Sequence, residues 1–292
     1  MSDAARHANR QPFRVAVAQI SPTLGNVQAN LRMHLARIEE ARAASADLLV
    51  FPELSLTGYY LRDQVHEVAE PPDGPTLRAV GEAAGDMAVC LGFVEETHSV
   101  RFHNAAAFLD GGALRHVHRK VYLPTYGMFD EGRDFAAGSR IRAFNTRFGR
   151  VGLLICEDAW HLSAGVILQA DGIDLLIVIA NSPGRGVREP VLGSQQTWDF
   201  VVRTFASYLN VPVVFANRVG FEDGVCFWGG SQIVSPTGTP LAQAPVLEPA
   251  LIGATIDPRD ARLQRILTPL GRDERLDLTL AELERIRRER DA

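Results

Sequence analysis

Residues 151–160 read VGLLICEDAW, an apolar run that ends in a cysteine followed at once by two carboxylates. The run VGLLI is typical of a strand buried on both faces, so Cys156 lies where that strand ends. A thiol attacks as the thiolate, and neighbouring carboxylates disfavour a second negative charge. Cys156 therefore needs a base or a positive charge from elsewhere in the chain if it is to react.

Short apolar runs alternate with helical stretches on both sides of this motif. Long helices are predicted near 26–45, where apolar residues recur with helical period, and near 191–209. The predicted strands are FRVAVAQI (13–20), DLLVFPE (47–53), MAVCLGFV (87–94), NAAAFLD (104–110), LRHVHRKVYL (114–123), VGLLICE (151–157), DLLIVIAN (174–181), VPVVFAN (211–217), VCFWGGSQIVSP (225–236) and ALIGATID (250–257). We find no repeat, low-complexity tract or linker, so the alternation predicts one α/β domain.

Four of the buried runs end in polar residues. In open α/β sheets, ligands bind beyond the carboxyl ends of the strands. Each polar residue taken alone could simply cap a strand or begin a turn. Taken together they predict a functional site, formed by Glu53, Cys156 with Glu157, Asn181 with Ser182, and Asn217.

A lysine is the candidate cation beside the cysteine, because none of the histidines is predicted at the end of a buried strand. Lys120 lies in HRKVYLP between apolar residues. Beside the thiol it would offset Glu157 and Asp158 and lower the thiol pKa. Glu53 can then act as general base. The structural alternatives are a solvated strand lysine for Lys120 and an N-cap or surface acid for Glu53.

Three motifs follow one another along the chain: FPELSLTGY with Glu53, HRKVYLP with Lys120 and GLLICEDAW with Cys156. Together they resemble the Glu–Lys–Cys signature of the nitrilase (carbon–nitrogen hydrolase) superfamily, with similarity from about residue 12 to 257. The resemblance implies a four-layer α-β-β-α sandwich and a hydrolase of non-peptide carbon–nitrogen bonds. It also implies that Glu131 holds Lys120 and positions the substrate amide. The alternative for Glu131 is a loop glutamate paired with Arg133.

One branch of the superfamily is more similar than the rest. FPELSLTGY, LPTYGMFDEGRDF (123–135), CEDAW and NSP (181–183) resemble the glutaminase domain of glutamine-dependent NAD synthetase. That resemblance implies that Glu157 and Asp158 turn away from the sulfur and bond the backbone and neighbouring loops. No synthetase domain is expected in these residues, since no Ser-Gly-Gly pyrophosphate loop follows.

The same branch suggests which residues bind substrate. Tyr126, Ser182 and Arg188 match positions that hold glutamine, and an arginine suits a carboxylate because it can pair with it bidentately. Val187 replaces the usual glycine before the basic residue, so Arg185 is the alternative contact. Glu157 is a further candidate substrate contact, although we favour a structural turn acid.

Composition limits the partners. Net charge is −5 and the pI about 5.9, with acids and bases interspersed, so we expect no binding to nucleic acid or membranes. Neither a signal peptide nor a membrane span is predicted. Three cysteines without a C-x-x-C pair indicate reduced thiols and a cytoplasmic protein. No metal-ligand spacing occurs, so neither a metal nor another cofactor is expected.

Three segments are predicted: a flexible arm at 1–12, a carbon–nitrogen hydrolase domain at 13–257, and a charged arm at 258–292. Thr279 with Glu282 resembles a capping box that opens a terminal helix. The last segment has few apolar residues, so we expect it to cross a neighbouring subunit in a homo-oligomer, a dimer or larger.

The function expected from these residues is that of an amidase. It would cleave a small carboxamide, glutamine or a related ω-amide, to a carboxylate and ammonia through a cysteine thioester. The alternatives are a glutaminase subunit that supplies ammonia to a separate synthetase, a nitrilase, and an N-carbamoyl amine hydrolase.

Overall fold

The computed structural model of the chain describes residues 10–188 and 191–291, without the side chains of Val187, Arg188 and Val191. Its strands are β1 (Phe13–Gln19), β2 (Leu48–Val50), β3 (Ala88–Glu96), β4 (Phe102–Asp110), β5 (Ala113–Arg119), β6 (Phe144–Thr146), β7 (Gly149–Ile155), β8 (Leu175–Ala180), β9 (Val187–Arg188), β10 (Val191–Leu192), β11 (Val213–Asn217), β12 (Val219–Glu222), β13 (Val225–Trp228), β14 (Gln232–Val234), β15 (Pro240–Gln243) and β16 (Ala250–Ile256). Its α-helices are α1 (Val27–Ala43), α2 (Val65–Val68), α3 (Pro75–Ala84), α4 (Glu131–Asp134), α5 (Leu162–Ala170), α6 (Gly193–Leu209), α7 (Pro258–Leu267), α8 (Leu270–Asp273) and α9 (Leu276–Arg290). Short 3-10 helices span Arg62–Gln64 and Cys156–Trp160.

Two six-stranded sheets form the centre of the molecule. The first has the strand order β16-β1-β2-β3-β4-β5, and the second has the order β15-β14-β11-β8-β7-β6. Each contains three central parallel strands, β1, β2 and β3 in the first sheet and β7, β8 and β11 in the second. Antiparallel strands flank both sets. The carboxyl ends of the parallel strands therefore lie at one edge within each sheet.

Side chains along β1 face two different neighbours, as expected for a strand buried on both sides. Val15 and Val17 belong to the core shared with β7 and β8, whereas Ala16 and Ala18 pack with helices α1 and α3. Helices α5 and α6 pack on the second sheet, where Trp198 of α6 stacks on an aromatic ring of β11. The layers run helix, sheet, sheet, helix, which confirms the predicted α-β-β-α sandwich.

The N-termini of two helices were predicted from sequence, and the structure agrees with one of them. The helix expected near 26–45 is α1, whose N-cap Asn26 accepts a hydrogen bond from the backbone N–H of Ala29 at 3.0 Å. The capping box predicted at Thr279 is wrong. Helix α9 begins at Leu276, so Thr279 lies inside it and donates to Glu274 Oε1 at 3.3 Å instead.

The C-terminal helices differ in how they contact the sandwich. In α7, the guanidinium of Arg265 lies 3.1 Å from Asp174 Oδ1 and donates to the carbonyl of Ile173 at 2.6 Å. Helix α9 has no buried residue, and the large apolar side chains it exposes are Leu276, Leu278, Leu280, Leu283 and Ile286. The predicted segment boundaries remain predictions, and residues 1–9 of the N-terminal arm lie outside the described residues.

Within residues 10–188 and 191–291, no helix has both the length and the apolar composition that crossing a membrane requires.

Candidate active site

The carboxylate of Glu53 joins the two sheets. Glu53 follows β2 and is fully buried. Its Oε1 accepts a hydrogen bond from Asn104 Nδ2 of β4 at 2.7 Å, and its Oε2 accepts one from the backbone N–H of Asn181, just after β8, at 2.7 Å. Gly92 of β3 allows this approach, because a Cβ there would lie 2.8 Å from the Glu53 Cα. Both sheets therefore hold Glu53 in place.

Glu53, Lys120 and Glu131 form a buried group that we call the charge cluster. Lys120 Nζ donates to Glu53 Oε1 at 2.8 Å and to Glu131 Oε1 at 2.6 Å. Burial acts to lower the pKa of Lys120, but the charges of Glu131 and Glu53 raise it well above its usual value. Burial raises the pKa of Glu131 to about 7 in spite of Lys120.

The charge cluster excludes the structural alternatives for its members. The side chain of Lys120 is 1% exposed and that of Glu53 is fully buried, so neither is a surface residue. Glu131 pairs with Lys120 and accepts a hydrogen bond from the Tyr59 hydroxyl at 2.5 Å, not from Arg133.

Cys156 begins the 3-10 helix that follows β7, with a left-handed φ of +44°. A non-glycine residue in this region is uncommon, and strained positions cluster at active sites. Burial, followed by the charge of Glu53, raises the pKa of the thiol well above its usual value, although Lys120 acts in the opposite direction. The expected lowering of the thiol pKa is therefore wrong, because burial of the thiol and the charges of Glu53 and Glu131 outweigh the effect of Lys120.

Asp158 and His118 form a second buried pair, which we call the brace. Asp158 Oδ2 accepts hydrogen bonds from His118 Nε2 at 2.8 Å and from the backbone N–H of Ile155 at 3.1 Å. Its Oδ1 accepts from the backbone N–H groups of Val121 and Tyr122 at 2.9 and 3.0 Å. The brace ties the turn at the cysteine to the chain next to the lysine, which confirms that Asp158 bonds the backbone and a neighbouring loop.

Glu157 behaves differently from Asp158. Its Oε2 accepts a hydrogen bond from the Tyr126 hydroxyl at 2.9 Å, so it contacts the neighbouring loop through a side chain. Its charge is nevertheless one of the smaller causes that raise the pKa of the Cys156 thiol. Burial and the hydrogen bond to Glu157 raise the pKa of Tyr126 to about 12. Tyr126 is half-exposed, so Tyr126 and Glu157 lie together on the solvent-facing side of the site.

Of the remaining predicted substrate contacts, the structure describes the side chains of Ser182 and Arg185. Ser182 is buried after β8, and its Oγ accepts a hydrogen bond from Trp228 Nε1 at 3.1 Å, so its own hydroxyl proton can be donated elsewhere. The guanidinium of Arg185 lies 4.7 Å from the ring centroid of Phe129, on the loop that carries Tyr126. The side chain of Arg188 lies outside the described residues.

The sequence interpretation missed three residues of the site: Tyr59, Asn104 and His118. Asn104 opens the run NAAAFLD, and Tyr59 ends the motif FPELSLTGY. His118 was available as a signal, since it stands two residues before Lys120 and is buried near the end of β5, where no histidine was expected. Each contacts a candidate residue that is far away in sequence.

The arrangement combines a thiol, a buried carboxylate and an ammonium group. These are the groups that nucleophilic attack on a carbonyl carbon requires: a nucleophile, a proton acceptor and a cation that stabilises an oxyanion. In the part of the chain that the structure describes, no cluster of three or more His, Cys, Asp or Glu side chains could hold a metal ion.

Comparison with known proteins identifies the class. The carbon-nitrogen hydrolase family model matches residues 14–266. The chain therefore belongs to the carbon–nitrogen hydrolase family. It is 30% identical over 261 residues to a glutamine-dependent NAD(+) synthetase of Acinetobacter baylyi, a match that covers 87% of this chain and 46% of that relative. The chain thus spans less than half the length of this curated relative.

Two other relatives are matched over most of their length. The chain is 33% identical over 236 residues to an (R)-stereoselective amidase of a Pseudomonas species, which covers 80% of this chain and 81% of the relative. The crystal structure of a carbon-nitrogen hydrolase from Helicobacter pylori superposes with a TM-score of 0.81 at 23% identity, covering 94% of this chain and 99% of the other. This last likeness supports the fold alone.

Proposed function

We propose that the protein is an amidase that converts a small carboxamide to a carboxylate and ammonia through a thioester on Cys156. The charge cluster is the observation that carries the proposal, since Lys120 Nζ lies 2.8 Å from Glu53 Oε1 and 2.6 Å from Glu131 Oε1 and its charge acts on the thiol. Membership of the carbon–nitrogen hydrolase family and similarity to an amidase support it.

In the first half of the proposed reaction, Cys156 Sγ forms a bond to the amide carbon while Glu53 takes the thiol proton. The raised pKa of the thiol fits this order, because the proton then leaves only as the attack proceeds. Lys120 and the backbone N–H that follows Cys156 stabilise the oxyanion. Glu53 then passes the proton to the amide nitrogen and the carbon–nitrogen bond breaks. Ammonia departs, and the acyl group remains on Cys156 as a thioester.

In the second half, Glu53 takes a proton from water as the water oxygen attacks the thioester carbon. The carbon–sulfur bond then breaks, Glu53 returns its proton to sulfur, and the carboxylic acid product leaves and ionises to the carboxylate in solution. In this proposal Glu131 moves no proton. It holds Lys120 through the 2.6 Å hydrogen bond and positions the substrate amide.

The proposed substrate is glutamine or a related ω-amide. Arg185 or Arg188 would pair with its carboxylate, while Tyr126, Ser182 and Glu157 would orient the amine and the amide through hydrogen bonds. Arg185 packs beside the loop of Tyr126, and similarity to a glutamine-dependent enzyme supports this substrate class.

Replacement of the nucleophile tests the reaction. Cys156→Ala should abolish ammonia release from every amide that the wild type hydrolyses, while Cys226→Ala, at a half-buried thiol, should keep it. Intact-mass spectrometry of the quenched wild type should detect an acyl adduct that Cys156→Ala lacks. Residual turnover in Cys156→Ala would make the assignment of the nucleophile wrong.

A substrate screen tests the specificity. Ammonia release would be compared for glutamine, asparagine, neutral amides, N-carbamoyl compounds and nitriles. Arg185→Met and Arg188→Met would be measured in parallel, and the variant that loses the carboxylate contact should raise KM for glutamine about 10- to 100-fold, with little change for propionamide. Best activity on a nitrile or N-carbamoyl amine, with glutamine inert, would reject this substrate and leave the cysteine chemistry in place.

A glutaminase subunit that works with a separate synthetase is the second candidate. The match to about half of a glutamine-dependent NAD(+) synthetase favours it. Glutaminase activity would be assayed with the purified chain alone and then with a stand-alone NAD synthetase. Activity that appears only on mixing would support the subunit, whereas equal activity in both assays would support an independent amidase.

We also propose a cytoplasmic homo-oligomer. Exposed apolar side chains on α5, α6 and α9 favour association, among them Leu162, Phe200, Tyr208 and Leu280. Light scattering at micromolar concentration should give the mass of a dimer or a larger oligomer. The mass of a monomer would contradict the proposed oligomer.

A further inference from the structure

A basic groove lies on the first sheet at its edge strand β5. It has a volume of about 810 Å³, within the range of small-molecule sites. It shares no lining residue with the loop of Tyr126 or with Arg185. Its charged and imidazole lining consists of His98, Arg101, His103, His116, His118, Arg119, Arg140 and Arg142. Among the described residues that line it, none is Asp or Glu.

Three of the four arginines have an uncompensated charge. Arg119 is paired, since its Nε and Nη2 both donate to Glu95 at 2.6 Å. Arg101, Arg140 and Arg142 are exposed, and within residues 10–188 and 191–291 none has a carboxylate at ion-pair distance. Three free guanidinium groups around one concavity are unusual in a chain whose net charge is −5.

Two histidines of the groove, His103 and His116, supply hydrogen-bonding groups rather than charge. Burial lowers the pKa of His116 to about 4, and burial also lowers the pKa of His103, so both imidazoles are neutral at physiological pH. His103 Nδ1 donates to the carbonyl of Ala136 at 2.6 Å. His103 and His116 therefore add hydrogen-bonding groups to the groove, and the three free arginines supply positive charge.

The charge and the donor set decide the class of ligand. A monocarboxylate would neutralise one of three guanidinium groups, whereas a phosphate monoester or a polyphosphate carries two or more negative charges. Guanidinium groups pair bidentately with phosphate oxygens, and the hydroxyl of Ser139 on the groove wall can donate to another. A nucleic acid would need a positive surface that extends beyond one concavity.

We propose that this groove is a second binding site, for a small molecule that carries a phosphate group with at least two negative charges. It lies apart from the charge cluster but touches the brace, because His118 forms part of its wall and donates to Asp158. The proposal is independent of the amidase reaction, since it concerns binding at a different surface.

Isothermal titration calorimetry of the full chain would use inorganic triphosphate, adenosine 5′-monophosphate, citrate and a short DNA duplex. We expect triphosphate to bind with an affinity that falls as salt rises, and Arg140→Gln with Arg142→Gln to weaken it at least tenfold. The matched control, Arg203→Gln with Arg262→Gln, removes the same charge from exposed positions outside the groove and should bind as the wild type does.

Four results would overturn the proposal: no binding of triphosphate at millimolar concentration, equal losses in both double variants, citrate bound as tightly as triphosphate, or duplex DNA bound more tightly than either. Thermal unfolding would check that each variant is folded. If the groove double variant unfolds, Arg101→Gln alone would serve, with the same requirement of weaker binding relative to Arg203→Gln.

Discussion

The charge cluster and the brace both contain buried carboxylates, and the hydrogen bonding of these carboxylates differs. Asp158 of the brace accepts four hydrogen bonds, two at each oxygen. Burial acts to raise its pKa, but the hydrogen bonds from His118 and the backbone lower it overall. In the charge cluster, Glu131 shares Lys120 with Glu53, and its Oε2 has no hydrogen-bond partner among the described residues. Burial raises its pKa to about 7.

This difference separates a structural acid from a candidate functional one. A carboxylate with both oxygens saturated by donors is held in its ionised form and position. A carboxylate that is buried with spare acceptor capacity can accept a hydrogen bond from a substrate, and perturbed groups of this kind concentrate at functional sites. Without this difference in hydrogen bonding, Asp158 and Glu131 would be indistinguishable as buried acids.

Replacement of the proposed base in the charge cluster should have the largest effect. Glu53→Gln keeps the size of the side chain and removes the proton acceptor, so we expect kcat for ammonia release to fall about 10²- to 10⁴-fold. Glu82→Gln, on the exposed face of α3, is the matched control and should retain full turnover. Near-normal kcat in folded Glu53→Gln would remove Glu53 from the chemistry and make it a structural acid like Asp158.

Replacement of the acid in the brace should act on stability instead. Asp158→Asn places an NH₂ group next to N–H groups that donate to the carboxylate in the wild type, and it leaves some of these donors without an acceptor. We therefore expect the free energy of unfolding to fall by about 3 kcal/mol. Denaturant unfolding would measure it, with exposed Asp260→Asn as a control that changes it by less than about 0.5 kcal/mol. Unchanged stability combined with lost activity would place Asp158 among the reacting groups.

The two regions should also respond to pH with opposite slopes. Folding lowers the pKa of Asp158, so its contribution to stability is present above its usual value of 3.8 and is lost as pH falls through the lowered value. Folding raises the pKa of Glu131 from 4.5 to about 7, so its contribution is present below 4.5 and is lost as pH rises through about 7.

Unfolding free energies measured across pH for the wild type, Asp158→Asn and Glu131→Gln would test these slopes. The difference in unfolding free energy between the wild type and Asp158→Asn should become smaller at acidic pH. The wild type should lose about 1–3 kcal/mol relative to Glu131→Gln as pH rises from below 4.5 to above 7. Slopes of the same sign in both comparisons would contradict the distinction between the two acids.

The smallest effect is expected from the hydroxyl that supports the charge cluster. Tyr59→Phe removes the 2.5 Å hydrogen bond to Glu131 Oε1, so we expect kcat to fall about 3- to 10-fold with little change in KM. Tyr208→Phe, on the exposed face of α6, is the matched control. A rise in KM with unchanged kcat would assign Tyr59 to substrate binding instead.

Much of the fold was predictable because its signals are local. The apolar runs that became β1, β7, β8 and β11 are short, buried on both faces and separated by stretches of helical period. The polar residues that follow them, such as Glu53 and Cys156, could be located for the same reason. The capping box at Thr279 failed because a three-residue spacing matches inside a helix as well as at its start.

The sequence alone therefore determined the order of the elements, the family and the identity of the candidate residues, because apolar period and short motifs are properties of neighbouring residues. The tertiary structure brings Asp158 to His118 and the backbone of residues 121–122, and it brings Glu157 to Tyr126. It also decided the sign of the shift in the Cys156 pKa. Burial and the number of donors around a carboxylate depend on residues that lie tens of positions apart, and these come together only when the two sheets pack.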